Sequence, residues 1–202
     1  MTFNIAFLLF PDFEELDFVG PYEVLAATAK HIDKTWNPYT VAQERVVRST
    51  NGLSFNTDYT FADAPKPELV LVPGGEGTRT EVDNTELIDY IRSACESAEY
   101  ITSVCTGAFL LHKAGFLSGK RATTHWAQLD ELRKLGDVTV EEARWVHDGN
   151  VITAAGVSAG IDMALYLLGV LKSPQIARTL QHGIEYDPSP PYADVEPLDV
   201  GG

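Results

Sequence analysis

YITSVCTGAFLLHKAG, Tyr100–Gly115, decides the fold. Tyr100, Ile101, Thr102, Ser103 and Val104 are β-branched, aromatic or small, the composition of a strand. Ala108, Phe109, Leu110, Leu111 and Ala114 then fall at helical spacing, and Gly115 suits a helix C-cap. The strand and the helix meet at Cys105 with no loop between them. A residue held at such a corner belongs to neither element, so its side chain stands clear of the sheet; hydrolases of the α/β type present a serine on a similar strained turn.

Around this stretch the chain alternates strands and helices. NIAFLLF (Asn4–Phe10) is nearly all apolar, as expected of a central strand covered on both faces, and PDFEELDFVGPYEVLAATAKHI then turns and becomes helical. YTVAQERVVRS and GLSFNTDYTF are strand-like, and ELVLVPGG (Glu68–Gly75) is a further buried strand ended by Pro73 and two glycines. NTELIDYIRSACESA is an amphipathic helix with Leu87, Ile88, Ile91 and Cys95 on one face and Asn84 or Thr85 as N-cap. Beyond the corner, RATTHW reads as a short strand and AQLDELRKLG as a helix closed by Gly136. VTVEEARWVHDGNVITAAG is strand-rich, with a hairpin turn at Asp148-Gly149. Ser158 is expected to cap the apolar helix AGIDMALYLLGVL, and Pro174 to sit in the first turn of a last helix. This order predicts one α/β domain over residues 1–187 with a mainly parallel sheet and helices on both faces. The Pro-rich, acidic residues 188–202 are expected to form an extended tail.

Composition excludes several functions. The 202 residues carry 29 acidic against 15 basic side chains, a formal charge of −14, so nucleic acid and anionic membranes are not expected partners. No apolar run approaches a membrane span, and the N-terminus lacks the basic region and cleavage site of a signal peptide. Two cysteines do not make a disulfide framework. A reducing, cytoplasmic compartment is expected.

In parallel sheets the working site lies beyond the C-terminal strand ends. Here those ends deliver Glu14, Glu15 and Asp17; Gly74 and Gly75; and Cys105. A thiol at a helix N-terminus is expected to have a lowered pKa and to favour thiolate. The Thr106 amide points toward the same space, and the amides of Gly74 and Gly75 would complete an anion-stabilising pocket if that turn lies alongside. The competing role for Cys105 is a small buried hydrophobe, which is the role read for Cys95. Asp17 is either a helix N-cap or, beside a thiol and partly buried, a carboxyl poised to shuttle a proton. Five histidines are present: His31, His112, His125, His147 and His182. All are read as structural, although His125 is placed to return near the corner and His112 points away from it. No cluster has metal-ligand spacing and no glycine-rich phosphate loop is present, so no cofactor is expected.

Together FLLFPDFEELDFVGPYEVL, PGG, TSVCTGAFLLHKAGFLSGKRATTHW and AAGVSAGIDMALYLL resemble the ThiJ/PfpI superfamily over nearly the whole chain. The stretches around Asp17 and Cys105 resemble its isonitrile hydratase-like branch in particular. The resemblance implies a flavodoxin-like fold, a nucleophile elbow at Cys105, Asp17 as its acid/base partner, and Thr106 as a neighbour on the turn. It also implies a pocket wall at Gly156 and Val157, a homodimer, and hydration of a small isonitrile without a cofactor. In the deglycase branch a Glu stands where this chain has Asp17. In the peptidase-like branch a His follows the cysteine, where this chain has Thr106, so protease activity is not expected. The related regulators append a helix-turn-helix segment, and none follows Gly202 in this sequence, so a regulator is not expected. Detoxification of small α-oxoaldehydes and a non-enzymatic thiol sensor or chaperone remain as alternatives.

Overall fold

A computed structural model describes residues 2–191, 193, 195 and 196. The elements in chain order are β1 (Phe3–Leu8), α1 (Glu15–His31), β2 (Trp36–Ala42), β3 (Val46–Arg48), β4 (Ser54–Asn56), β5 (Tyr59–Thr60) and β6 (Leu69–Val72). Next come α2 (Thr78–Glu81), α3 (Thr85–Glu96), β7 (Tyr100–Val104), α4 (Gly107–Lys113) and β8 (Arg121–Ala122). A 3-10 turn (Trp126–Gln128), α5 (Leu129–Lys134), β9 (Thr139–Val140), β10 (Trp145–Asp148), β11 (Val151–Ala154), α6 (Ala159–Leu171) and α7 (Pro174–Gly183) complete the chain. The main sheet has seven strands in the order β10-β11-β7-β6-β1-β2-β5. Every pairing in it is parallel except β10 with β11, the hairpin that turns at Gly149. This is the flavodoxin-like α/β fold expected from the sequence.

The apolar runs explain the layering. β6 is buried along its whole length, as is β1 from Ile5 onward. Such strands need a helix layer on each face. Helices α1, α6 and α7 pack together on one side, and α3 and α4 on the other. The α1–α6 contact is close because α6 carries a glycine there: a Cβ at Gly160 would lie 2.9 Å from the Pro21 ring of α1. That packing sets the start of α1 beside the loop that enters α6, and the site lies between them.

Several local expectations differ in detail. RATTHW is strand only at Arg121–Ala122; Thr123 and Thr124 stay extended but bond to Thr153, Ala143 and the Cys105 carbonyl rather than continuing a ladder. Asn84 caps α3 through the Leu87 amide, as its residue type predicts. Ser158 precedes α6 without capping it, because its hydroxyl instead accepts from Arg144. Of the tail expected at 188–202, the described residues are exposed, and the rest lies outside the described residues. Among the described residues no helix is long and apolar enough to cross a membrane.

Candidate active site

The C-terminal ends of β1, β6, β7 and β11 converge on Cys105. Its φ is +56°, a left-handed conformation that a non-glycine residue adopts at a cost of about 1–3 kcal/mol. The surroundings hold it there. Its amide donates to Ala154 O at 3.0 Å, and Thr124 Oγ1 donates to its carbonyl at 2.8 Å. The β6 turn presses against the corner: a Cβ at Gly74 would lie 2.5 Å from Thr106 N and 2.8 Å from Cys105 Cβ. Only a glycine admits that approach.

Asp17 occupies the first turn of α1 and is fully buried. It is not a cap, since the N-cap position is Glu14 and no side chain caps the helix. Oδ2 accepts the Gly74 amide at 2.8 Å. Oδ1 is buried without a partner of regular geometry, although the Cys105 thiol lies close enough to act on the carboxyl as a donor. Burial dominates the titration and raises Asp17 to about 8; the Gly74 amide and the thiol pull it down, and the charge of Glu14 pushes it up. Buried carboxyls resist ionisation for this reason.

The same burial governs the thiol. Cys105 is only 7% exposed, and its pKa is pushed up to about 12, first by desolvation and then by the charge of Asp17. The amide and hydroxyl of Thr106 act in the opposite direction. The expected low-pKa thiolate is therefore corrected: the resting thiol is neutral. A helix N-terminus contributes about 0.3–1 kcal/mol, less than one pKa unit, whereas burial shifts a group by up to about 3–5 units.

The glycine turn lies alongside as anticipated, but its amides are already used. Gly74 N–H goes to Asp17, and Gly75 N–H donates to Thr106 Oγ1 at 3.0 Å. The anion pocket expected from these two amides is thus not free; they orient the acid and the threonine instead. Thr106 Oγ1 also lies 3.0 Å from the hydroxyl of Thr78.

Gly156 closes the far side: a Cβ there would lie 3.0 Å from Cys105 Sγ and 2.5 Å from His125 Cδ2. Val157 follows in the same loop, half-buried. His125, which the sequence reading treated as structural, therefore sits beside Cys105. Its Nδ1 accepts from Ala127 N at 3.3 Å, which places the proton of the neutral ring on Nε2, and burial lowers its pKa. The sequence signal was present in Thr124, whose hydroxyl ties this segment to the Cys105 carbonyl, but that bond is tertiary. His112 does point away and pairs with Asp137. Cys95 is 2% exposed in the core.

A cavity of about 180 Å³ opens beside Thr106, lined by Thr78, Arg79, Val82, Phe109, Gln128 and Glu131. A larger cleft of about 430 Å³ between α6, α7 and β10 contains none of the residues around Cys105. Among the described residues no three His, Cys, Asp or Glu side chains cluster to hold a metal.

A parallel sheet that carries a cysteine at a strained strand-to-helix corner, with a buried carboxyl beside it, defines a nucleophile-elbow protein of the flavodoxin-like class. The chain belongs to the DJ-1/PfpI family, whose profile matches residues 3–169. It is 41% identical to an isonitrile hydratase of Pseudomonas putida over 98% of its own length and 84% of the relative's. It is 31% identical to the HTH-type transcriptional regulator CdhR of Pseudomonas aeruginosa, over 88% of this chain but only 53% of the regulator. A ThiJ/PfpI family protein from Pseudomonas syringae superposes with a TM-score of 0.88 at 35% identity, covering 96% of this chain and 78% of that one.

Proposed function

We propose that this protein is a lyase that hydrates small isonitriles to N-substituted formamides, with Cys105 as nucleophile and Asp17 as acid and base. The observation that carries the reading is a fully buried carboxyl oxygen, Asp17 Oδ1, without a regular partner beside a neutral thiol. The likeness to an isonitrile hydratase over nearly the whole chain supports it.

The chemistry follows from the protonation states. An isonitrile's terminal carbon accepts both a proton and a nucleophile. Asp17 gives its proton to that carbon while the Cys105 sulfur bonds to it, and the thiol proton replaces the one Asp17 gave. The product is a neutral thioimidate, R–N=CH–S–Cys. Asp17 then gives its proton to the nitrogen and takes one back from water as the hydroxyl adds to the carbon. Collapse of the adduct breaks the C–S bond, returns a proton to sulfur and releases R–NH–CHO. Thr106, through its amide and hydroxyl, steadies the sulfur as charge develops there. Gly74 orients Asp17, and Gly75 orients Thr106. Gly156 and Val157 wall the site, and neutral His125 presents an Nε2–H donor beside it.

The protein is further proposed to act as a homodimer. Leu16 and Val19 on α1 and Trp126 beside His125 are exposed apolar side chains flanking the site at 41%, 40% and 72% exposure. A second copy would cover them.

Conversion of cyclohexyl isonitrile to its formamide, followed by NMR, tests the reading. Cys105→Ser is expected to abolish turnover, and Asp17→Asn to lower it by about 100-fold or more, the usual scale of general acid–base catalysis. Methylglyoxal is the control arm: turnover of the aldehyde with none of the isonitrile would overturn the proposal.

A further inference from the structure

The cavity beside Thr106 offers a place for the part of the substrate that does not react. It starts at Thr106, the residue that follows Cys105. Thr106 Oγ1 lies 3.0 Å from Thr78 Oγ1, and both threonines line the cavity. In a thioimidate the side group begins three bonds out from the sulfur, beyond the carbon and the nitrogen, so a group leaving along this line of hydroxyls enters the cavity. On another side the sulfur faces Gly156, where even a Cβ would lie only 3.0 Å away.

Beyond the threonines, the half-buried side chains of Val82 and Phe109 give the cavity an apolar wall, while Arg79, Gln128 and Glu131 ring its outer side. Its volume of about 180 Å³ sets a size limit. A cavity of about 150 Å³ with apolar walls holds one benzene. A single six-membered ring therefore fits, and a fused pair does not. The arrangement of an apolar wall with a few polar groups at the mouth is that of a small-molecule pocket.

We infer that this cavity is the side-group subsite, that Val82 and Phe109 are its specificity-determining residues, and that the preferred substrates are isonitriles carrying one compact ring or a branched alkyl group of that size. This rests on the proposed hydration, but its test has an arm that does not. The turnover arm compares methyl, cyclohexyl and 2-naphthyl isonitriles. Wild type is expected to favour cyclohexyl over naphthyl by about tenfold or more in kcat/KM, the scale by which a pocket discriminates size. Val82→Phe fills the apolar wall and is expected to lower kcat/KM for cyclohexyl isonitrile by about tenfold while leaving methyl isonitrile within about twofold. Gln128→Trp narrows the cavity from the α5 side and serves if Val82→Phe does not fold. Equal turnover of cyclohexyl and naphthyl isonitriles, or parallel changes for methyl and cyclohexyl, would overturn the inference. The second arm measures alkylthiolation of Cys105 by methyl and cyclohexyl methanethiosulfonates. The thiol displaces methanesulfinate and leaves the same side group two bonds from the sulfur, one bond closer than in the thioimidate. The cyclohexyl reagent is expected to slow about tenfold relative to the methyl one in the filled variants. An unchanged ratio refutes the subsite whether or not any isonitrile is hydrated. A changed ratio with no isonitrile turned over supports the subsite and refutes hydration.

Discussion

Replacing Asp17 with Asn separates the titration of this carboxyl from its shape. Asn keeps the size and the acceptor for the Gly74 amide, which Asp17 Oδ2 now takes at 2.8 Å. It removes the ionisation. In the fold Asp17 is raised from 3.8 to about 8, with burial as the largest cause. The neutral carboxyl's contribution to stability is fully present below about pH 4 and is lost as pH rises through about 8, because the folded state must then hold a buried charge. A shift of roughly 4 units at about 1.4 kcal/mol per unit sets a ceiling near 6 kcal/mol. Relaxation and water entry lower such costs in real interiors, so we expect roughly 2–4 kcal/mol. For a chain of this size that is roughly 4–16 °C in melting temperature. The assay is the melting temperature of both proteins from pH 4 to pH 9, read as Asn minus Asp, so that all other titrating groups cancel. The difference is expected to climb steadily between pH 4 and pH 8 and then level off. A flat difference, or one that falls with pH, would show that Asp17 ionises normally and would remove the proton donor from the proposed mechanism.

Three further outcomes are expected. Gly156→Ala places a Cβ 3.0 Å from Cys105 Sγ and 2.5 Å from the His125 ring, so it should cost about 1–3 kcal/mol in stability and at least about tenfold in turnover; unaltered kinetics would move the wall of the site elsewhere. Native-state labelling by iodoacetamide should modify Cys105 before Cys95, with a rate that still rises between pH 7 and pH 10 because the thiol is held neutral; a plateau at neutral pH would indicate a thiolate, and preferential labelling of Cys95 would reverse the assignment. Light scattering at micromolar concentration should give twice the chain mass, and a monomer throughout that range would leave Leu16, Val19 and Trp126 without their proposed cover.

The fold was legible because its deciding elements are extreme. β1 and β6 are apolar enough to need cover on both faces, and the strand, Cys105 and helix of residues 100–113 leave no room for a loop. The site was legible in its members more than in its electrostatics. Residue type and position picked out Asp17, Cys105, Thr106 and the Gly74-Gly75 turn. They did not reveal that both glycine amides are taken or that Ser158 serves Arg144 rather than α6. Each of these depends on a contact between segments far apart in sequence. The titration of Cys105 failed for the same reason. A helix terminus is visible locally, while burial beside a second acid is known only once the chain is folded.

A neutral acid pair also bears on which chemistry suits the site. A thiol sensor works through its thiolate, and oxidation is favoured by a low pKa and exposure. Cys105 has the opposite character, with its thiol raised and almost no surface. Hydration of an isonitrile asks for something else at the start: a proton delivered to carbon. Asp17 carries that proton near neutral pH because it is buried, and Cys105 stays protonated partly because Asp17 is adjacent. Burial thus keeps both groups protonated until a substrate accepts the proton, although the thiol as a donor eases the ionisation of Asp17. In this reading the carbon that takes the proton from Asp17 also becomes the electrophile for the sulfur, so neither a free thiolate nor a free carboxylate has to exist in the resting site. Asp17→Asn would leave the thiol in place with nothing to protonate the carbon, and the resulting loss should fall on kcat rather than on KM.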